Sequence, residues 1–489
     1  LGIYKSLFKQ TAIYGLATVL PRMFSFILVP LYTNPAVLNV QEYGEVSVIF
    51  SWMVLFNVIL AYGMETAFFR FYNSDNDKKS VIGTATVSIF WTTMVFLIGS
   101  LLFRNKIAHI THIEVEYITY TIWILVLDAL VIIPFSKLRA YQRPIAYAMV
   151  KIGNVVVNLA LNLFFLLYLP KIALSNPDGF LASIYIENFQ IGYIFVANVI
   201  ASLLTLIVVL PNYMHIQWHF DFKLWKRMMN YALPILVAGI AFAINETFDR
   251  ILLDYLLPKN IAKIDVGAYS ACYKLALFMT LFATAFRLGI EPFFFSHANN
   301  EEAPKTYAMI TKYFIIFGSI ILLAVIVFAD LLKVLIIRDD SYWEAMKVVP
   351  LIILANFFLG IYHNLSVWYK LTDKTKMGAY ISIVGAIVTL VLNFLLIANY
   401  SYVGSAIATI AAYGSMMIIS YYLGNRYYPI PYDMKKILLY LGLSILFSTV
   451  YFYGFRENYY VGIGFLILFI YFVYRNEKPT LLRILKKTI

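Results

Sequence analysis

The chain has 489 residues, of which 62% are hydrophobic and 13% charged, with a mean hydropathy of +0.78 and a formal net charge of +12. A soluble domain carries roughly 25% charged residues, so this composition excludes a soluble globular protein and indicates a polytopic membrane protein. The single cysteine, Cys272, excludes an internal disulfide or a paired redox motif, and the basic surplus reads as membrane topology and not as nucleic-acid binding.

Apolar windows predict fourteen membrane spans, numbered 1–14 in chain order, near residues 8–33, 43–67, 82–103, 117–139, 147–169, 189–211, 229–256, 265–295, 311–331, 346–369, 377–398, 402–424, 436–454 and 459–474. The first run is too long for a cleavable signal peptide and lacks a small-residue cleavage site, so it is expected as an uncleaved span. Connections are short, and none has the length of a soluble domain. Lysine and arginine gather in alternate loops, as at Arg70, Lys78 and Lys79, then Lys223, Lys226 and Arg227, then Lys370, Lys374 and Lys376. That asymmetry places these loops and both termini in the cytoplasm. The end, 479–489, mixes Leu and Ile with Arg and Lys and reads as an amphipathic segment on the inner membrane surface.

Span 7 is apolar, yet it carries Glu246, Asp249, Arg250 and Asp254, with Pro234 near its start. The spacing i, i+3, i+4, i+8 puts the four charges on one helix face. A charge at bilayer depth costs at least ~2.5 kcal/mol on insertion scales, so these groups turn toward a partner or a polar cavity. The plainer reading is a helix held to its neighbours by buried ion pairs.

The chain also repeats itself. Gly63-Met-Glu65 in span 2 matches Gly289-Ile-Glu291 in span 8, Gly44 with Ser47 matches Gly267 with Ser270, and the stretch ending at Asn162 matches the one ending at Asn393. Offsets of 223 to 231 residues join spans six apart, so both copies run in the same sense. The expected fold is all-α: two parallel six-helix bundles, 1–212 and 229–424, joined by a linker at 213–228 and followed by two extra helices and the tail at 425–489. In such folds the substrate site lies between the halves.

Arg22 and Lys274 fall near mid-membrane by the ~1.5 Å rise per helical residue, with Arg250 nearer the outer face and Arg287 nearer the inner one. These four are the candidates for holding an anion, since a guanidinium offers phosphate a planar fork of donors. A local acid could instead cancel Arg250 (through Glu246) or Arg287 (through Glu291). Glu246 and Asp249 are candidates for coupling to protons or sodium, and Glu65 and Glu291 for a role near the inner gate or for helix-end hydrogen bonding. Asn154, Asn158 and Asn162 form a polar stripe on span 5, read as interhelical bonding or as a sugar-contacting wall. There is no Gly-x-x-x-x-Gly-Lys loop and no His-Glu-x-x-His, so neither ATP hydrolysis nor metalloenzyme chemistry is expected, and no cofactor or metal. His215 with His219, and His109 with His112, lack a third ligand.

The segments Tyr14–Thr33, Glu42-Tyr-Gly-Glu45, Val266–Leu275, Tyr369–Met377 and Tyr402–Thr409 resemble polysaccharide flippases of the Wzx type, within the multidrug/oligosaccharidyl-lipid/polysaccharide exporter superfamily. The resemblance covers nearly the whole chain. It implies a V-shaped pair of bundles working by alternating access. It implies a bacterial inner-membrane protein that is no enzyme and moves a polyprenyl-diphosphate-linked oligosaccharide from the cytoplasmic to the outer leaflet. Polysaccharide biosynthesis enzymes would be partners. Family cavities are cationic, a pattern Arg22 and Lys274 fit and the acids of span 7 do not. The rival readings are a cation-coupled multidrug antiporter of the same fold, a membrane polymerase or ligase, and a scaffold in an export machine.

Overall fold

The computed structural model describes residues 19–20, 23, 26–214, 216–296 and 301–488. Among them the ordered elements are helices, and twelve are long and apolar enough to cross a membrane. Backbone groups in hydrocarbon must be bonded within their own segment, and this is why long apolar runs become helices here. One of the twelve, Lys376–Tyr427, is 52 residues long and bends at Ser401 (φ 46°, ψ −134°), between expected spans 11 and 12. Expected span 1 lies mostly outside the described residues.

Several spans are interrupted where the sequence reads as continuous. Span 2 consists of Val40–Ala61 and Met64–Ser74, separated by Tyr62 (φ 32°) and Gly63 (φ 72°). A Cβ on Gly63 would sit 2.5 Å from the carbonyl oxygen of Ala232, so glycine serves there both the left-handed backbone and a close approach of span 7. Span 5 passes through a π turn at Phe164–Tyr168, and span 8 through a 3₁₀ turn at Lys274–Ala276. Span 7 begins early, as Phe222–Leu256, because Asp221 caps it by accepting hydrogen bonds from the backbone N–H groups of Lys223 and Leu224 at 2.8 and 3.1 Å.

The chain divides into two compact units, Leu1–Ser270 and Ala271–Ile489. Within the first, span 7 packs on both parts of span 2. A close crossing in this unit joins the start of span 2 to the start of span 8, Lys259–Tyr273. A Cβ on Gly44 would lie 1.9 Å from the carbonyl oxygen of Lys263, and one on Gly267 would lie 2.0 Å from that of Val40. The repeat offset of 223 residues relates Gly44 to Gly267 and Val40 to Lys263, so the contact is reciprocal: each copy's glycine meets the other copy's carbonyl. Small residues let membrane helices approach to backbone distance in this way. Lys263 reinforces the crossing with an ion pair to Glu45 at 3.0 Å.

In the second unit, spans 13 and 14 are pinned to span 9 at both ends. Near the start of span 9, Glu477 (1% exposed) takes Lys312 at 2.5 Å, Lys436 at 2.9 Å and the Tyr440 hydroxyl at 2.9 Å. Beyond the end of the span 9 helix, Ala303–Val327, Asp330 accepts both arms of Arg456, at 2.8 and 2.9 Å, and Lys333 at 2.6 Å. Burial alone would raise the Asp330 carboxyl, but hydrogen bonds from Arg456 and Lys333 outweigh it and hold the group below its ordinary range.

Two outcomes follow. Gly44→Ala or Gly267→Ala should lower stability in detergent by about 1–3 kcal/mol through overpacking, whereas Gly289→Ala, with open space at its Cβ, should be neutral or stabilising; thermal unfolding of the purified variants distinguishes them. A depressed folded-state carboxyl contributes stability that is full above the ordinary carboxyl range and is lost as pH falls through the depressed value. Unfolding temperature should therefore drop on acidification below about pH 4, and Asp330→Asn should lower it at neutral pH while flattening that acid limb.

Candidate functional site

Span 7 separates its charges. Glu246 is exposed, whereas Asp249 is buried at 4% exposure. The two carboxylate oxygens of Asp249 are engaged separately: Oδ1 takes the Arg250 guanidinium at 3.1 Å, and Oδ2 accepts the Tyr269 hydroxyl at 2.7 Å. Arg250 also donates to the backbone oxygen of Glu246 at 3.2 Å and lies 5.7 Å from the Tyr269 ring. The local acid that engages Arg250 is thus Asp249, and the contact to Glu246 runs through its backbone. Tyr269, on the next span, completes the group. Nothing in the spacing of span 7 pointed to it.

Glu65 and Glu291, related by the repeat, each bind a base of their own unit. Glu65 pairs with Arg139 at the end of span 4, and Glu291 with Lys370 at the end of span 10, both at 2.5 Å. The bases are themselves repeat-related: the 231-residue offset that carries Asn162 to Asn393 also carries Arg139 to Lys370. That offset was the available signal for both residues. Arg139 is further held by the rings of Phe69 and Tyr147, at 4.6 and 5.9 Å.

Beside the Glu291–Lys370 pair is a pocket with room for about one water, which Arg287, His363 and Asn364 also line. Arg287 and Glu291 therefore share a site, with Lys370 bonded to the acid. Lys274 is half-buried in the 3₁₀ turn of span 8, and Arg22 lies outside the described residues.

Two asparagines of span 5, Asn154 and Asn162, join helices, and Asn158 bonds Asn162 within the span. Asn154 donates to Thr205 of span 6 at 2.9 Å, and Asn162 donates to Asn158 at 2.8 Å while accepting from the Tyr32 hydroxyl at 2.7 Å. Asn393 repeats the pattern in the second unit, donating to the backbone of Thr389 and accepting from Ser405. Asp128, a half-buried acid on span 4, accepts from Ser202 at 2.8 Å.

A family model described as polysaccharide biosynthesis protein matches residues 7–295, and one described as MatE matches residues 234–395. No curated protein sequence matches. Among solved structures the chain is similar to one described as lipid II flippase MurJ in an inward closed conformation. That likeness has 15% identity and a TM-score of 0.73, over 95% of this chain and 99% of that one. It is also similar to an inward-facing multidrug resistance MATE family transporter of the MOP superfamily, with 12% identity and a TM-score of 0.61, over 85% and 94% of the two chains. These likenesses show a fold shared with flippases and drug transporters alike.

The repeated acid–base pairs generate a test. Double-mutant cycles on Glu65→Gln with Arg139→Gln, and on Glu291→Gln with Lys370→Gln, should each give a coupling of about 0.2–1 kcal/mol, the range for partly exposed pairs. Thermal unfolding of the single and double variants reads it. Coupling in one unit alone would show that the repeat does not extend to these contacts.

Proposed function

The chain belongs to the polysaccharide biosynthesis protein family, and on that premise we propose that it is a flippase. It moves a polyprenyl-diphosphate-linked oligosaccharide from the cytoplasmic to the outer leaflet of the bacterial inner membrane, for export of surface polysaccharide. Its basic loops and both termini face the cytoplasm, where polysaccharide biosynthesis enzymes supply the substrate. It works as a transporter and catalyses no reaction. Arg22, Arg250, Lys274 and Arg287 hold the diphosphate in turn while the lipid tail stays in the bilayer.

The observation that carries this reading over the rival drug antiporter is the state of Asp249. An exporter of amphipathic cations needs a buried carboxylate open to its cargo. Here the buried carboxylate of span 7 is taken by Arg250 and by Tyr269, and the exposed acid, Glu246, gives up only its backbone oxygen to the same arginine. The described fold also matches the MurJ structure over more of both chains than it does the MATE transporter.

The same arrangement supplies a coupling step. A carboxylate that gains a proton loses most of its hold on a guanidinium. Protonation of Asp249 would release Arg250 to the incoming diphosphate, and deprotonation would reclaim it and free the product. Sodium at the carboxylate would act in the same sense.

Reconstitution tests both points. Vesicles containing the protein should move a labelled polyprenyl-diphosphate sugar between leaflets, and an imposed proton or sodium gradient should change the rate. Asp249→Asn should keep translocation and lose the response to the gradient. Uptake of amphipathic cations without movement of the lipid would reject the flippase reading, and a gradient response that persists in Asp249→Asn would reject the coupling.

A further inference from the structure

Among the described residues two lysines are buried to the same degree, Lys137 and Lys312, each 8% exposed. In the second unit Lys312 gives its ammonium to Glu477. In the first unit Lys137, in the last turn of the helix Ile132–Ala140 that ends span 4, meets no acid. The charge that acts on it is Arg143, a second cation. The carbonyls at this helix end are taken as well. Tyr141, Gln142 and Arg143 donate their backbone N–H groups to the oxygens of Lys137, Arg139 and Leu138 at 2.9, 3.0 and 2.9 Å. A buried cation left without a partner is costly, and the folded first unit supplies none.

The scaffold does not ask for a lysine at this place. The offset of 231 residues carries Lys137 to Trp368 and Arg143 to Lys374. Trp368 is 1% exposed, stacks on Tyr427 at 5.6 Å and donates from Nε1 to Ser420 at 3.3 Å. Lys374 lies 3.5 Å from that same Tyr427 ring. The second unit thus fills the position with an aromatic ring and commits the neighbouring cation to another. In the first unit the Arg143 side chain is exposed and, like Lys137, has no acid among the described residues.

The position of Lys137 indicates what could reach it. Its ammonium lies 5.5 Å from the ring of Tyr141, which is itself 43% exposed, so the tip of the buried side chain comes to the surface. Tyr141 packs on Tyr72 at 6.0 Å, and Lys78 lies 5.1 Å from the Tyr72 ring, which adds a third cation to the border of the ring pair. The acids beside Lys78 in the chain are engaged: Asp75 pairs with Arg227, and Asp77 caps its own helix through the Ser80 N–H. A lysine in the last turn of a membrane span carries its charge to headgroup level. On the helix that follows, Ile145 and Met149, one turn apart, are 59% and 64% exposed and present an apolar face.

We infer that Lys137 and Arg143 hold the headgroup phosphate of an anionic phospholipid, with Lys78 adding to the positive field and the acyl chains lying along the exposed face of span 5. Arg143 offers the phosphate a planar fork and Lys137 a point charge. Basic groups at the cytoplasmic ends of membrane helices recognise anionic headgroups in this way. A zwitterionic headgroup would bring its own cation to a place that already holds three. The ligand is a lipid of the bilayer and not cargo, so the inference does not rest on the flippase reading.

The test uses the full chain in detergent, titrated by calorimetry with short-chain phosphatidylglycerol, phosphatidylcholine of the same chain length, inorganic phosphate and a short-chain polyprenyl-diphosphate sugar. Wild type should bind phosphatidylglycerol more tightly than phosphatidylcholine or inorganic phosphate. Lys137→Met, which keeps the volume and removes the charge, should weaken phosphatidylglycerol by at least about tenfold, the loss of one charge-assisted contact. Its unfolding temperature without lipid should hold or rise, whereas a purely structural lysine would lower it. Arg143→Gln, at an exposed position, should also weaken phosphatidylglycerol and leave the lipid-free unfolding temperature unchanged, a readout that stands even if Lys137→Met fails to fold. Unchanged phosphatidylglycerol affinity in both variants overturns the proposal, as does phosphatidylcholine or inorganic phosphate binding as tightly as phosphatidylglycerol. An equal loss of polyprenyl-diphosphate sugar in Lys137→Met would place the lysine on the transport route and overturn it too. Loss of phosphatidylglycerol alone, in a protein that moves no lipid-linked sugar in vesicles, would keep this site and remove the flippase reading.

Discussion

Two helices can meet backbone to backbone only where neither carries a side chain at the crossing. Gly44 and Gly267 meet this condition for each other, and the carbonyls of Lys263 and Val40 occupy the space their side chains would fill. The contact is the repeat expressed in three dimensions: one helix start, used twice, touching itself. A Cβ at either position would force the starts of spans 2 and 8 apart. The ion pair between Lys263 and Glu45, and the buried group on span 7 that Tyr269 of span 8 completes, depend on that spacing.

A second constraint orders the charges. A charge in a low-dielectric interior must find a partner, and the described protein satisfies this in different ways. Asp249 is matched by a cation and a phenol, Glu477 by two lysines and a phenol, and the repeat-related acids by one base each. Glu477 and Asp330 are structural, since they tie the last two helices to span 9. Asp249 and Glu291 differ in that each holds a cation that a phosphate would also bind. Under the proposed function Asp249 is a placeholder, and the substrate competes with it for Arg250.

The all-helical, many-span character of the fold was legible in the sequence, because apolar length depends on local composition. Of the charges the sequence placed on span 7, Asp249 is buried and Glu246 is exposed, and the sequence did not show their partners. Asp249 meets Tyr269 on the following helix, Glu291 meets Lys370 two spans away, and contacts at such separations are set by packing. The break at Tyr62–Gly63 was hidden for a related reason: Gly63 and Gly289 look alike in the repeat, but only Gly63 has span 7 against it, and only there does the helix break. Arg139 and Lys370 were within reach of the repeat offset, because one offset fits both spans 4 and 10 and spans 5 and 11. Arg22, the residue on which the sequence placed most weight, lies outside the described residues.

Alternating access, which the resemblance to Wzx-type flippases implies, is expected to open and close the reciprocal glycine contact as substrate passes. The direct measurement is the distance between spin labels at Ala36 and Asn260, exposed positions beside the starts of spans 2 and 8, taken by double electron–electron resonance in lipid. The account predicts a short distance without substrate and a second, longer population when a polyprenyl-diphosphate sugar is supplied. A single distance that ignores this lipid, or one that lengthens only with an amphipathic cation, would contradict it.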